Sequence, residues 1–296
     1  MCPSRALKKI YRDVYYIPGR TNVGIVCRDD WCIVIDSGLD EDQGRRIINI
    51  VKESGLELKY LLNTHSHADH IGGNNIIMNR TSSLIIAPTI ESYFIENPIL
   101  EPIYLYGAYP PKGLRDKFFM AQPSRVDKNL QSGLDNEIGL EFIQLPGHSF
   151  NMYGVIVDDV FFIADLVFPE NLIDKYGVLY HFDVKESVKT LKKIKETAYR
   201  FYVPSHSEPT TDISRLIDVN LQSIDKVKRL IEEYTSRPLS LEDIVSNILK
   251  DLNISITPST YFLYNSAVRS YISWMADEEL LSEVLDNGRL KYFRVR

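Results

Sequence analysis

Residues 63–73 read NTHSHADHIGG and place His65, His67, Asp69 and His70 within six consecutive positions. This one stretch uses half of the chain's six histidines. It follows an apolar run, KYLL, that reads as a buried strand, so any fold must end a strand at a sheet edge and deliver the loop there. Imidazole nitrogen and carboxylate oxygen ligate zinc, and iron and manganese accept the same donors. In extended backbone His65 and His67 point to one side. Asp69 and His70 lie where the next helix is expected to begin and turn toward a second point. Four donors on one turn suit two neighbouring metal ions. A surface or helix-capping cluster is the competing explanation.

Three further donors follow apolar strands far along the chain: His148 in LPGHS, Asp165 in FFIAD and His206 in VPSHS. Strands packed side by side would bring these ends to one edge. Taken singly, a histidine can simply hydrogen-bond in its loop and an aspartate can cap a turn. Taken together they supply the distant ligands a metal site needs.

The surrounding pattern is that of an α/β chain. VGIVC and WCIVIDSG read as a hairpin whose two-residue loop, Asp29-Asp30, sets Cys27 opposite Cys32. Two reduced thiols are expected there, with a strained cross-strand disulfide as the alternative; Cys2 is expected on a mobile terminus. DQGRRIINIVKESG is amphipathic, with Ile47, Ile48 and Val51 on one stripe and Gly55 as its cap. A helix is expected from His70 to Arg80, then SLIIAP as a strand. Residues 97–128 break the rhythm, holding five of the fourteen prolines, too many for a long regular element. Their aromatics argue against disorder, so the segment reads as an insertion that is a lid or a subunit contact. LEFIQLPGHS, YGVIV, VFFIAD and RFYVPSHS read as strands, and DVKESVKTLKKIKE as a helix.

Beyond residue 209 the pattern turns helical. Ile213, Leu216, Ile217, Ile224, Val227 and Ile231 recur at helical spacing. Ser240 with Asp243 resembles a capping box, and Thr257-Pro258 opens a third helix. Asn287-Gly288 is placed as a hairpin turn. Three helices and a hairpin suggest a winged-helix-like unit over 210–296, after a catalytic domain over 1–209.

HSHADH, PGHS, the lone Asp165 and the terminal SHS resemble the metallo-β-lactamase superfamily over roughly residues 12–208. The resemblance implies an αββα sandwich with metal ions at one edge, followed here by the smaller, mostly helical winged-helix-like domain. Matched to the family's motif, His65, His67 and His148 would bind a first ion, Asp69, His70 and His206 a second, and Asp165 would bridge them. Asp36, at the end of IVID, would orient ligands. Zinc is the first choice for both divalent ions, with iron or manganese as alternatives. Asp165 at the bridging position speaks against antibiotic hydrolysis. His67, where flavin-linked di-iron members carry glutamate, and the lack of a flavodoxin-like unit speak against that branch.

The implied chemistry is hydrolysis by a metal-bound hydroxide acting on a small thioester, ester or lactone, with Asp69 assisting proton movement. An RNA hydrolase and a mononuclear iron persulfide dioxygenase are the alternatives. Tyr106 and Tyr109 in the insertion, with Tyr176, Tyr180 and His181 after Asp165, are candidates for lining the substrate pocket. Packing of the insertion, or a homodimer contact, is the other reading of the tyrosines.

The net charge of −6 and the ten Lys/Arg against eleven Asp/Glu over 225–296 weigh against nucleic-acid binding. Hydrophobic residues at 44% and charged residues at 25% fit a soluble globular protein, with no run that would span a bilayer. A cytoplasmic location is expected.

Overall fold

A computed structural model describes residues 6–295; Cys2 lies outside the described residues. Strands β1 (Lys8–Tyr11), β2 (Val14–Ile17), β3 (Val23–Cys27), β4 (Trp31–Ile35), β5 (Glu57–Leu62), β6 (Leu84–Pro88) and β7 (Lys128–Leu130) form one sheet in that lateral order. The β3–β4 hairpin pairs Cys27 with Cys32, as the spacing predicts, and both are free thiols. Burial pushes them up to about 11 and about 12, respectively.

Alternation along the strands divides the core. Val26, Ile33 and Ile35 face inward between two sheets. Ile25, Cys32 and Val34 face outward, against Ile47, Ile48 and Val51 of α1 (Glu41–Glu53). The Asp40 side chain caps that helix by accepting from Gln43 N, and Gly55 follows its end at φ +70°.

The expected helix from His70 to Arg80 is two helices, α2 (Ala68–Ile71) and α3 (Asn74–Arg80). The Gly72 N–H bonds Gly38 O at 2.7 Å instead of continuing the first helix. A Cβ on Gly72 would lie 2.0 Å from the Leu39 carbonyl, and one on Gly73 2.6 Å from Ser37 O. The break presses this chain against the loop after β4, where Asp36 stands.

Two short helices follow β6, α4 (Thr89–Glu96) and α5 (Leu100–Tyr106), the second inside the proline-rich insertion, which also holds a 3-10 turn at Lys112–Leu114. Pro102 sits in the first turn of α5, where a missing N–H costs little. The second sheet contains β8 (Gly133–Asp135), β9 (Leu140–Gln144), β10 (Tyr153–Val157), β11 (Val160–Ala164) and β12 (Phe201–Pro204), with β12 beside β11. Phe142, Val155 and Phe162 on its inner face meet the first sheet. Each fully buried aliphatic or aromatic side chain there stabilises the sandwich by about 1.5–3 kcal/mol. Between β11 and β12 run α6 (Glu170–Tyr176) and α7 (Val184–Lys195).

The outer face of the second sheet shares one apolar cluster with α7 and with the C-terminal helices α8 (Ser214–Tyr234), α9 (Leu241–Asp251) and α10 (Pro258–Asp277). Two-residue β13 (Leu239–Ser240) precedes α9, and β14 (Leu281–Asp286) and β15 (Arg289–Arg294) close the chain as the expected hairpin. Asn287 and Gly288 both take positive φ at its turn. Ser240 and Thr257 cap α9 and α10 as their spacing predicts. Among the described residues no helix is long and apolar enough to cross a membrane.

Candidate metal centre

Helices thus cover both faces of the sandwich, and the polar strand ends gather at one edge. Two of those ends leave regular geometry: Asp36 has φ +61° and Ala164, just before Asp165, has φ +48°. A non-glycine residue held there costs on the order of 1–3 kcal/mol, a cost the surrounding packing offsets to turn a side chain out of a strand.

The seven expected donors converge. His65, His67 and His148 present donor atoms within 4.8 Å of one another, as do His65, His70 and Asp165, and Asp69, His70 and His206. His67 Nδ1 stands 3.2 Å from His65 Nε2 and 2.9 Å from His148 Nε2. His65 is fully buried, and His148 and Asp165 are nearly so.

Partners on the far side of the rings fix which nitrogen is free. Asp36 accepts the Thr64 N–H at 2.8 Å and the Thr64 hydroxyl at 2.9 Å. That hydroxyl, its proton spent on Asp36, accepts from His65 Nδ1 at 3.0 Å. His70 Nδ1 donates to Asp36 Oδ2 at 2.8 Å, His148 Nδ1 to Tyr180 O at 3.2 Å, and His206 Nδ1 to Arg20 O at 2.7 Å. In each ring Nε2 is left with a lone pair.

Lone pairs do not gather at such distances without a cation or a proton between them. Neither His70 Nε2 nor Asp165 Oδ1, 3.1 Å apart and both buried, makes a hydrogen bond. This donor set fits divalent metal ions.

The electrostatics divide the cluster. Burial, then the neighbouring imidazoles, pushes His65 and His148 well below the usual histidine range. Burial would lower His70 and His206 too, but Asp165 and the other nearby carboxylates outweigh it, raising His70 well up and His206 to about 9. Burial works in the opposite direction on Asp165, where His206 and His70 prevail and hold the carboxyl well down.

Glu91 of α4 carried no sequence signal, yet it ties the two halves of the histidine trio together. Its Oε2 accepts from Ser66 N and Oγ at 3.1 and 2.5 Å, and its Oε1 from Ser149 Oγ and Asn151 N, each at 2.7 Å. Ser66 lies between His65 and His67, and Ser149 follows His148. Thr21, also unmarked in the sequence, donates to Asp69 Oδ2 at 2.9 Å.

Of the five candidates for the pocket wall, Tyr180 alone has a ring contact with these histidines, 5.8 Å from His67 and 6.1 Å from His148 between centroids. Its hydroxyl meets that of Tyr104, from α5, at 3.1 Å. Tyr106 packs on Phe262 of α10, and Tyr109, 71% exposed, bonds Arg115. Tyr176 is partly exposed beside Lys175. His181 is buried, with Nδ1 on the Ser187 hydroxyl at 2.9 Å, and burial lowers it to about 4. Its Nε2 is buried without a hydrogen-bond partner among the described residues.

Helix α10 grips the loop that carries Tyr180. The Tyr264 hydroxyl donates to Tyr176 O at 2.9 Å, and Ser270 Oγ donates to Phe182 O at 3.0 Å while accepting from Val184 N at 3.2 Å. The same loop donates from Asp183 N to Gly147 O at 2.9 Å, next to His148.

Comparison with known proteins gives this edge its kin. The Bacillus subtilis (strain 168) probable metallo-hydrolase YqgX is 26% identical over 164 residues, 54% of this chain and 70% of that protein. The hydroxyacylglutathione hydrolase of Pelagibacter ubique (strain HTCC1062) is 33% identical over only 48 residues, 16% of this chain and 20% of that protein. The crystal structure of a beta-lactamase domain protein from Burkholderia ambifaria superposes with a TM-score of 0.74 at 16% identity, covering 100% of this chain and 95% of that one. The family model of the metallo-beta-lactamase superfamily matches residues 16–206, the span that holds every converging donor. The chain therefore belongs to the metallo-β-lactamase superfamily, among its metal-dependent hydrolases.

Proposed function

We propose that the chain is a dinuclear hydrolase of a small thioester, ester or lactone, with His65, His67 and His148 holding one ion, Asp69, His70 and His206 the other, and Asp165 between them. The observation that carries this reading is the set of ring nitrogens facing one another at hydrogen-bond distance around His67 Nδ1, with the lone pairs of His65 and His148 fixed by partners on the opposite side of those two rings. Zinc suits the nitrogen-rich half, and iron or manganese the half with two carboxylates.

When bound, a pair of divalent ions makes water acidic enough to attack at neutral pH and polarises the bond attacked. The chain's own groups do the rest. Asp36 and Thr64 hold His70 and His65 in the required tautomers, and Glu91 fixes the spacing between the two histidine-bearing turns. Asp69 Oδ2 is engaged by Thr21, so Oδ1 is the atom that would carry a proton toward the leaving group. Tyr180 and Tyr104, whose phenols burial holds far above neutrality, stay protonated and offer O–H donors on the wall beside His67.

A small substrate is favoured over RNA because cations of the insertion are already engaged: Lys117 pairs with Asp40 at 3.0 Å and Arg115 stacks on Tyr109. The helical unit over 210–296, winged-helix-like in its order of elements, is proposed as a brace for the loop that carries Tyr180.

The test is metal content per chain, followed by turnover of thioesters, esters, lactones and single-stranded RNA. Two ions and turnover of the small acyl substrates support the reading. One iron with oxygen uptake, or cleavage confined to RNA, overturns it.

A further inference from the structure

Three aromatic side chains beside the metal edge belong to no apolar core. Phe94 of α4, Phe150 after the PGHS turn and Phe182 after Tyr180 take part in none of the buried clusters of the described residues. They touch one another instead. The rings of Phe150 and Phe182 lie 4.1 Å apart between centroids, and Phe94 stands 5.0 Å from Phe150. Tyr104 of α5 completes the group, edge-on to Phe150 at 5.5 Å and to Phe94 at 6.0 Å. Phe182 is 42% exposed, and the other three are half-buried. Contiguous aromatic surface left partly in water is stabilised when an apolar ligand covers it.

This strip begins at the donors. The Tyr104 hydroxyl meets that of Tyr180 at 3.1 Å, and the Tyr180 ring lies 5.8 Å from His67 and 6.1 Å from His148. The backbone of the strip is tied to the same turn. Phe182 N donates to His148 O at 3.3 Å, and Glu91 Oε1 accepts from Ser149 Oγ and Asn151 N, on either side of Phe150. The backbone under these rings is therefore set before a ligand arrives. Charge is kept away from the strip. Cations of the neighbouring segments stack on other rings, Arg115 on Tyr109 and Lys175 on Tyr176. Glu101, the acid of α5, is pushed toward its neutral form by burial and then by Asp69 and Glu91. Two phenolic hydroxyls thus stand next to the donors, and uncharged phenyl rings continue from them.

We infer that Phe94, Tyr104, Phe150 and Phe182 form an acyl-chain subsite, so that the substrate is an ester or thioester of an acid with an extended apolar chain. The bond to be cleaved lies at the donors and the chain runs across the rings. This inference rests on the hydrolase reading above. Continuity with the donor edge favours a substrate over a second copy of this chain, because a protein seated on these rings would also cover the Tyr180 wall.

A chain-length series tests it: 4-nitrophenyl acetate, butyrate, hexanoate and octanoate share one leaving group. The kcat/KM of the metal-loaded protein is expected to rise about two- to fourfold per methylene added. Phe182→Ala, at the most exposed ring, is expected to lower the octanoate-to-acetate ratio of kcat/KM about tenfold, and Phe150→Ala to lower it further. Phe182→Leu should restore most of the ratio, because the subsite asks for apolar surface and not for a particular ring. Acetyl and octanoyl thioesters of N-acetylcysteamine give the same ratio where only thioesters turn over. A ratio near one in the parent, or one that both alanine substitutions leave unchanged, overturns the assignment. So does a dimer, seen by analytical ultracentrifugation, that Phe182→Ala dissociates without changing the ratio. If neither series is hydrolysed, the hydrolase reading falls, and calorimetric binding of octanoate against acetate decides the subsite. Both acids carry the same carboxylate, so a preference for octanoate that Phe182→Ala reduces supports it. Equal binding of the two, or a preference that survives the substitution, overturns it.

Discussion

The two halves of the donor cluster are built differently. The trio of His65, His67 and His148 lies behind a wall, with no carboxylate among its donors, and is held by the buried Glu91 and by the Tyr180 carbonyl. The trio of Asp69, His70 and His206 is open: the Asp69 side chain is 35% exposed, and only the inner ring, His70, has a buried carboxylate behind it. Its outer members rest on the loop between β2 and β3, at Thr21 and Arg20. The closed half is a rigid, uncharged set of nitrogens. The open half includes a carboxylate, and Asp165 with the other nearby carboxylates raises both of its histidines, His70 and His206. Geometry is invested where a ligand must not move, and access is left where substrate and water must pass.

The largest effect that would break this contrast is expected from His67→Ala. Removing the donor shared by the two shortest nitrogen contacts should lower turnover on the order of a thousandfold and leave close to one ion per chain, read by elemental analysis. Retention of both ions would mean that the closed half does not depend on its own histidines.

The next effect concerns what lies behind that half. His181 is buried neutral with a pKa of about 4, below its ordinary 6.5, so the unfolded chain takes up a proton that the folded one refuses between those values. The stability it confers is whole above pH 6.5 and is lost as pH falls to 4. Chemical denaturation across that window should show His181→Asn losing less than the parent, by about 3 kcal/mol. Parallel stability curves would remove His181 from the account.

A sharper comparison sets Glu91→Gln beside Asp36→Asn. Each should weaken metal retention roughly 10–100-fold, the first in the nitrogen-only half and the second most strongly in the half containing His70, with a smaller effect on His65 through Thr64, as read by chelator competition with site-resolved spectroscopy of a cobalt-substituted protein. Equal weakening of both sites by either substitution would make the cluster one unit and dissolve the distinction. The smallest effect is expected from Ser270→Ala, which removes two hydrogen bonds between α10 and the Tyr180 loop. A loss of about 1 kcal/mol in stability with a wider distribution of His148 environments is expected by NMR; an unchanged His148 signal would sever the link from α10 to the closed half.

Much of this was legible in the sequence because local chemistry signalled it. The histidine loop, the donors at the strand ends, the Cys27–Cys32 register and the Asn287-Gly288 turn each follow from residue type and spacing. The break at Gly72 and Gly73 was not legible, since glycine inside an apolar helical segment does not by itself end the helix. Only the close approach of residues 37–39 shows why two glycines stand there. Glu91 belongs to no motif, and its four hydrogen bonds come from two distant turns. Aromatic composition marked the insertion as functional but not which way its rings face: Tyr104 reaches Tyr180 by the histidines, whereas Tyr109 turns to solvent.

The grip of α10 on the Tyr180 loop has a consequence for the order of events during synthesis. All seven converging donors have been translated once residue 206 is made, but Tyr264 and Ser270, which hold the loop against the His148 turn, come some sixty residues later in the sequence. A ribosome must release that stretch before those contacts to the wall beside His67 can form. A chain stopped between residues 206 and 264 would carry every donor and lack the element that grips the Tyr180 loop.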